Sequence, residues 1–183
     1  SEWVWGGLNG NANVGTSTFE VNQNTTLTTD PLAWTDKETN PGDPLLFSAG
    51  SLVMTPGDKI FAPVALQTTS TSIAGTAKLQ AAVAAAAPIT QNDTGGLLWA
   101  AIDQRVVTSN TAFTCDATAF TTLTPFAVGK LGVALESGAG RVLAAASGST
   151  QYYCFELSLP SNAPDTLQGR TIAPAWEFIS VSN

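Results

Sequence analysis

Residues 151–159 have the sequence QYYCFELSL, in which apolar side chains occupy every second position from Tyr153 to Leu159. Successive side chains of a β-strand point to opposite faces, so this spacing puts these four apolar side chains on one face of a strand. Such a face needs an apolar layer opposite it. The stretch therefore predicts a strand that lies in the core of a β-protein.

The same rhythm recurs along the chain. Further stretches rich in Thr, Val, Phe and Leu alternate with clusters of Gly, Pro, Asn and Asp, and no segment repeats at a fixed period. In the last stretch, Trp176 and Phe178 share one side, and Ile179 and Val181 share the other. We predict an all-β sandwich with additional strands at Ser17–Asn22, Lys59–Thr68, Gly96–Val107 and Ala175–Val181.

The segment Leu79–Ala87 is ambiguous because it is rich in alanine, the strongest helix former. Its flanking residues extend an alternating pattern, and no capping box precedes it. We expect a strand here, with a short helix across an end of the sandwich as the alternative.

Composition limits the possible functions. The chain has 183 residues, enough for one core of ordinary size, and we expect a single β domain over residues 16–183. Charged residues make up 11% of it, and the net charge is -7. Since no basic surface is available for phosphates, we expect no nucleic acid or anionic membrane as a partner. No apolar run is long enough to cross a bilayer, so we expect no membrane span.

Histidine is absent, which excludes a Ser-His-Asp triad and the zinc helix motif. The fourteen acidic residues are scattered, and only Asp36 and Glu38 lie two positions apart. A glycosidase that uses two carboxylates stays a minor alternative. We therefore predict no catalytic residue, no metal site and no cofactor. Because no side chain normally titrates between about pH 5.5 and 8, we expect any self-association of the chain to vary little over that range.

Cys115 and Cys154 are the only cysteines. A sparse, even pair in an acidic chain indicates one disulfide and an oxidising compartment, and the alternative is two buried thiols. The bond would hold a Thr-rich insert near residues 108–150 against the sheet.

The first fifteen residues combine an apolar tip with a Gly- and Asn-rich segment. Trp3 and Trp5 fall on one face of an extended strand and Val4 on the other, and GGLNGNANVG follows at residues 6–15. That segment has little preference for helix or strand. Exposed Trp is unfavourable in water, so the tip is expected to be buried in its own sheet, in another copy, or against a ligand or glycan.

Several motifs resemble one known family. They are GTSTFEV at residues 15–21, LVMTPGDKI at 52–60, YYCFELSLP at 152–160 and WEF at 176–178. Their order is similar to that in TasA, camelysin and actinobacterial relatives with SipW-type signal peptides. The resemblance covers most of the chain and is loosest over residues 108–150.

This resemblance implies a jelly-roll-like sandwich with an extended N-terminal donor strand. It implies a secreted or cell-surface biofilm fibre, in which copies assemble head to tail by donor-strand exchange and an accessory protein could anchor them. The donor residues would be Trp3, Val4, Trp5 and Leu8, whereas the groove that receives them cannot be named from the sequence. Camelysin has also been described as a metalloprotease, but this chain has no histidine and no clustered zinc ligands.

A secreted carbohydrate-binding module is the main alternative. Its sugar-stacking residues would be Trp3, Trp5, Trp34, Trp99 and Trp176. However, three of these lie in or beside predicted strands, where core packing is the commoner role.

Overall fold

A computed structural model describes residues 1–5, 20–28, 30–47 and 54–183 of the chain. Within these ranges there are eleven strands and two short α-helices. The helices are α1 (Leu97–Ala101) and α2 (Ala119–Thr122), and 3-10 turns lie at Pro31–Ala33, Thr94–Gly96 and Asp165–Leu167. The strands are β1 (Glu2–Trp5), β2 (Val21–Asn24), β3 (Asp43–Pro44), β4 (Lys59–Thr68), β5 (Gly75–Leu79), β6 (Val83–Ala84), β7 (Asp103–Ser109), β8 (Phe126–Lys130), β9 (Arg141–Leu143), β10 (Thr150–Ser158) and β11 (Pro174–Ser182).

The strands form two sheets. The first, here termed the β11 sheet, has the order β3-β1-β11-β5-β9, and β6 also pairs with β11. The second, the β10 sheet, has the order β2-β4-β10-β7-β8. The β1–β3 pair is parallel, while β1–β11 is antiparallel. The all-β prediction is confirmed; the jelly-roll connectivity and the donor role of the first strand stay predictions.

The core lies between β10 and β11. Phe155 and Trp176 have ring centroids 4.8 Å apart, and Tyr153 and Phe178 lie at the same distance. All four side chains are buried, and the Trp176 indole N–H donates to Gln104 Oε1 at 2.8 Å. Ile179 lies on the opposite face of β11 and is exposed. The predicted faces of both strands are therefore confirmed.

Most of the other predicted strands are also present. The prediction for Lys59–Thr68 has the same bounds as β4, and β2 begins at Val21, within the predicted stretch whose residues 17–19 lie outside the described ranges. No helix forms in residues 75–87, all of which are described, and the backbone there supplies β5 and β6. The strand interpretation of the alanine-rich segment is therefore right in part.

The prediction of one continuous strand over Gly96–Val107 was wrong. Its first half is helix α1, and β7 begins only at Asp103. Gly95 and Gly96 both have positive φ angles, which breaks the extended backbone before α1. The Asp93 carboxylate then accepts hydrogen bonds from the amides of Leu98 and Trp99, each at 2.9 Å. Carboxylates satisfy amides that have no partner within the first turn, so Asp93 favours a helix at this point.

The disulfide between Cys115 and Cys154 is confirmed, with Cα atoms 5.3 Å apart. Cys154 is buried on the face of β10 opposite the main core, in a small cluster with Val107, Ala119 and Phe120. The bond therefore holds the segment that carries α2 against the outer face of the β10 sheet.

Candidate functional site

The strand β1 occupies a groove between β11 and β3. Trp3 lies opposite Glu177, and Val4 lies between Trp176 of β11 and Asp43 of β3. A strand in this position has neighbours on both sides, so β1 completes the β11 sheet. The groove is the set of groups that contact β1, drawn from β11, β3, Gln23 and residues 36–42.

The two faces of β1 pack in different layers. Val4 is fully buried in the main core. Trp3 points to the other face and packs, half-buried, against a small cluster of Ala85, Ala173 and Ala175. At Trp3 and Val4, both faces of β1 therefore pack against apolar groups of the groove.

The backbone of Trp3 bonds to groups outside the β11 strand. Its N–H donates to the carbonyl of Lys37 at 2.8 Å, and its carbonyl accepts from Gln23 Nε2 at 2.8 Å. Gly42 closes the groove on this side: its φ is +74°, and a Cβ there would overlap the Trp3 carbonyl oxygen. Only glycine fits this contact without a shift of the backbone.

Glu2 is buried in the groove with 2% of its surface exposed. Its Oε2 accepts from the amide of Lys37 at 2.9 Å, and its carboxyl lies within hydrogen-bond reach of the Asp36 carboxyl. Burial and then the Asp36 contact raise the pKa of Glu2 to about 10, although the Lys37 amide and the amino group of Ser1 act in the opposite direction. The Glu2 carboxyl is therefore protonated at neutral pH.

Asp43 links the wall of the groove to the β10 sheet. Its carboxylate lies 3.6 Å from Lys37 Nζ and accepts a hydrogen bond from Gln23 Nε2 at 3.4 Å. It also accepts from the hydroxyl of Thr35, whose backbone bridges to Gln23. These contacts fix β3 and Lys37 relative to β2, so the groove has a rigid polar side.

The structure brings the predicted donor residues Trp3, Val4 and Trp5 together in one strand, while Leu8 and the predicted boundary at residue 15 lie outside the described residues. In the single chain this strand completes its own sheet, which is one of the arrangements that the sequence left open. Sequence reasoning missed the groove itself. Its only local signal was the Asn40–Pro44 turn cluster, which contains Gly42.

A separate apolar cavity of about 830 Å³ opens where β4 begins and β10 ends. Ile60, Leu157, Leu98 and Leu167 line it, and Asp165 is the only carboxylate among the described residues of its lining. A glycosidase needs two carboxylates across the substrate, so this cavity lacks that arrangement.

The tryptophans do not form a sugar platform in the described residues. Trp176 is fully buried, and Trp99 packs half-buried against the main core. Among the side chains that the structure describes, no Trp, Tyr or Phe belongs to the exposed large hydrophobic residues. Sugar stacking uses exposed aromatic faces, so the carbohydrate-binding alternative gains no support here.

Across the described ranges, no group of three His, Cys, Asp or Glu side chains is arranged to hold a metal ion. In the same ranges, no helix has the length and apolar character needed to cross a membrane. Comparison with protein-family models, with characterised proteins and with solved structures gave no match.

Proposed function

We propose that this chain is a structural subunit of an extracellular filament, in which β1 of each copy inserts into the groove of the next. One observation carries the proposal. A four-residue strand, Glu2–Trp5, fills a groove inside a sheet, and the segment that follows it is rich in Gly and Asn. A neighbour's β1 would find the same groove and make the same contacts.

Exchange of identical strands changes the free energy little. Val4, Trp3 and the Glu2 carboxyl would bury the same surface whether β1 comes from the same chain or from a neighbour. The remaining cost is association, about 4–15 kcal/mol. A stable filament therefore needs further contacts between the bodies of adjacent copies, and transfer of β1 supplies the connection that brings those bodies together.

The connecting segment is long enough for exchange. Residues 6–20 separate β1 from β2, and about 15 residues span roughly 50 Å when fully extended. A domain of this size has a radius of gyration of about 16 Å. The strand can therefore reach the groove of an adjacent copy. Because the donor strand and the groove are different surfaces, repeated transfer produces an open, head-to-tail polymer.

Two further features support a location and a biological role for the proposed filament. A disulfide persists in oxidising surroundings, which supports a secreted or cell-surface protein. The likeness of the sequence motifs to TasA and camelysin supports a place in the biofilm matrix or in adhesion, with an accessory protein as anchor.

A cross-linking experiment tests the exchange. Trp3 uses its N–H and carbonyl for Lys37 and Gln23, so Trp3 and Glu177 form a non-hydrogen-bonded pair, in which the side chains lie close together. One batch of protein carries Trp3→Cys and a second carries Glu177→Cys. After mixing under filament-forming conditions and mild oxidation, we expect a covalent dimer of the two variants and filaments in electron micrographs.

The matched control replaces Glu177→Cys by Val181→Cys, which lies on the same face of β11 but pairs with Thr76. This position is beyond the reach of Trp3→Cys, so no cross-link is expected. Monodisperse particles, without a dimer between the Trp3 and Glu177 variants, would contradict the proposed function.

A further inference from the structure

The Glu2 carboxyl is buried in the groove, where the amide of Lys37 donates to its Oε2 at 2.9 Å and the Asp36 carboxyl lies within hydrogen-bond reach. Ionised carboxylates only accept hydrogen bonds, so a hydrogen bond between these two groups requires one proton. Glu2 is 2% exposed when β1 lies in the groove. On a released β1, the Glu2 carboxyl would reach water and lose this proton at neutral pH.

We propose that insertion of β1 into the groove takes up one proton, held by the Glu2–Asp36 pair, and that this pair is a pH-dependent latch on strand exchange. Proton uptake requires only that β1 of a single chain enters its own groove. The effect of this proton on strand exchange between copies rests on the proposed filament.

Burial outweighs the charges that surround the pair in the described residues. On the side of residues 36–43, the Lys37 ammonium lies 3.6 Å from the Asp43 carboxylate. On β11, Glu177 is paired with Trp3, whose side chain points away from the main core. On β1 itself, the amino group of Ser1 lowers the pKa of Glu2, but burial and Asp36 outweigh it. The pair therefore keeps its proton while β1 stays inserted.

The direction of the effect follows from linkage. A group whose pKa is raised by insertion stabilises the inserted state fully below its pKa in water, and this stabilisation declines as pH rises towards the raised value. Between these limits, release of β1 becomes up to about tenfold more favourable per pH unit.

Exchange between copies begins and ends with the same protonated pair. Proton uptake therefore cancels between a strand in its own groove and one in a neighbour's groove. Only the released intermediate differs, because its Glu2 is ionised. Alkaline pH should thus speed the exchange of subunits and leave the balance between the two inserted states unchanged. The sequence-based expectation of little variation between about pH 5.5 and 8 is therefore kept for this balance and revised for the rate of exchange.

The test compares the full-length chain with three variants. Glu2→Gln replaces the buried acid by an amide that does not titrate, whereas Asp36→Asn removes the acidic neighbour and leaves Glu2 buried. Glu38→Gln is the control, because Glu38 is a nearby exposed acid. Two measurements are made between pH 6 and pH 8: the urea unfolding equilibrium of the unassembled chain, and subunit exchange between filament populations that carry two different fluorophores.

Over these two pH units, we expect the unfolding equilibrium constant of the wild-type chain and of Glu38→Gln to rise up to about a hundredfold more than that of Glu2→Gln. Asp36→Asn should give a rise between these two, because burial still raises the pKa of Glu2 when the acidic neighbour is gone. Subunit exchange should accelerate with pH in the wild-type chain and in Glu38→Gln, while exchange of Glu2→Gln should vary little. Should Glu2→Gln fold poorly, the reduced pH slope of Asp36→Asn still tests the pair.

A pH slope of unfolding in Glu2→Gln equal to that of the wild-type chain would overturn proton uptake, and a slope in Asp36→Asn equal to that of the wild-type chain would overturn the part of Asp36 in it. If the unfolding equilibrium of the wild-type chain and of Glu2→Gln differs in pH slope as expected, but both exchange subunits at equal, pH-independent rates, the latch on assembly is overturned. If the unfolding difference is present and no filament forms at any pH, the proposed function fails while proton uptake stands.

Discussion

Gly42 shows how one residue determines whether β1 can lie in the groove. The groove holds the backbone of Trp3 from both sides, so its fit depends on how closely the residue 40–43 turn approaches β1. With a φ of +74°, Gly42 brings its Cα against the Trp3 carbonyl, where a side chain has no space. The contact is made by backbone, which cannot move aside as a flexible side chain can.

We expect Gly42→Ala to lower the free energy of unfolding by about 3 kcal/mol or more. About 1–2 kcal/mol comes from a left-handed backbone at a non-glycine residue, and the remainder from displacement of Trp3. Gly95→Ala is the matched control, because Gly95 has a φ of +76° and nothing lies within 4 Å of its Cβ position. Urea unfolding of both variants measures the difference. An equal decrease in the free energy of unfolding for both variants would mean that β1 does not contact this turn closely.

At the scale of the element, strands with strict alternation and clear turn signals could be predicted from sequence alone. The ten residues of β4 were predicted with their true ends because Pro56 and Gly57 precede them and apolar residues recur along them. Helix α1 was missed because its apolar residues run without interruption towards β7. Its cause is the Asp93 side chain, which alternation does not reveal.

The groove could not be predicted for a different reason. The sequence identified Trp3 and Val4 as a buried strand, but their partners lie far along the chain. Gln23 is 20 residues away from Trp3, and β11 lies at the other end of the sequence. Such pairings depend on the order of strands in a sheet, which hydrophobic periodicity does not specify. The raised pKa of Glu2 could not be predicted for the same reason, since its neighbour Asp36 is 34 residues away along the chain and resembles an ordinary turn residue.

Loss of the disulfide should lower the stability of the chain without preventing assembly, because the bond lies on the β10 sheet and the exchanged strand belongs to the β11 sheet. Replacing both Cys115 and Cys154 by Ser opens a loop with a sequence separation of 39 residues, which the loop-entropy model relates to about 4 kcal/mol. For a chain of this size, we expect the melting temperature to fall by about 8–16 °C. Because Cys154 lies on the outer face of the β10 sheet and β1 belongs to the other sheet, filaments should still form at mild temperature. Calorimetry and electron microscopy measure the two properties, and loss of filaments by a folded variant would contradict this separation.

At the scale of the whole molecule, charge and apolar surface act in opposite directions. The net charge of -7 keeps copies apart at neutral pH. The outer face of the β11 sheet carries exposed aliphatic side chains at Val142, Ile179 and Val181, and Val142 and Val181 lie on either side of Thr76 in adjacent strands. This strip favours contact between filaments once repulsion weakens.

Acid should therefore bundle filaments without dissolving them. Below about pH 4.5 the exposed carboxylates begin to protonate, and the negative charge of each copy falls. Two contacts of the strand in the groove do not depend on an ionised carboxylate: Val4 does not ionise, and the stabilisation from Glu2 is retained in acid because insertion raises the pKa of its carboxyl. Light scattering and electron microscopy at pH 7 and pH 4 should show filaments of unchanged length that associate laterally, and added salt at pH 7 should give a weaker form of the same association by screening. Filaments that dissociate at pH 4, while circular dichroism shows a folded chain, would mean that an ionised carboxylate holds the copies together.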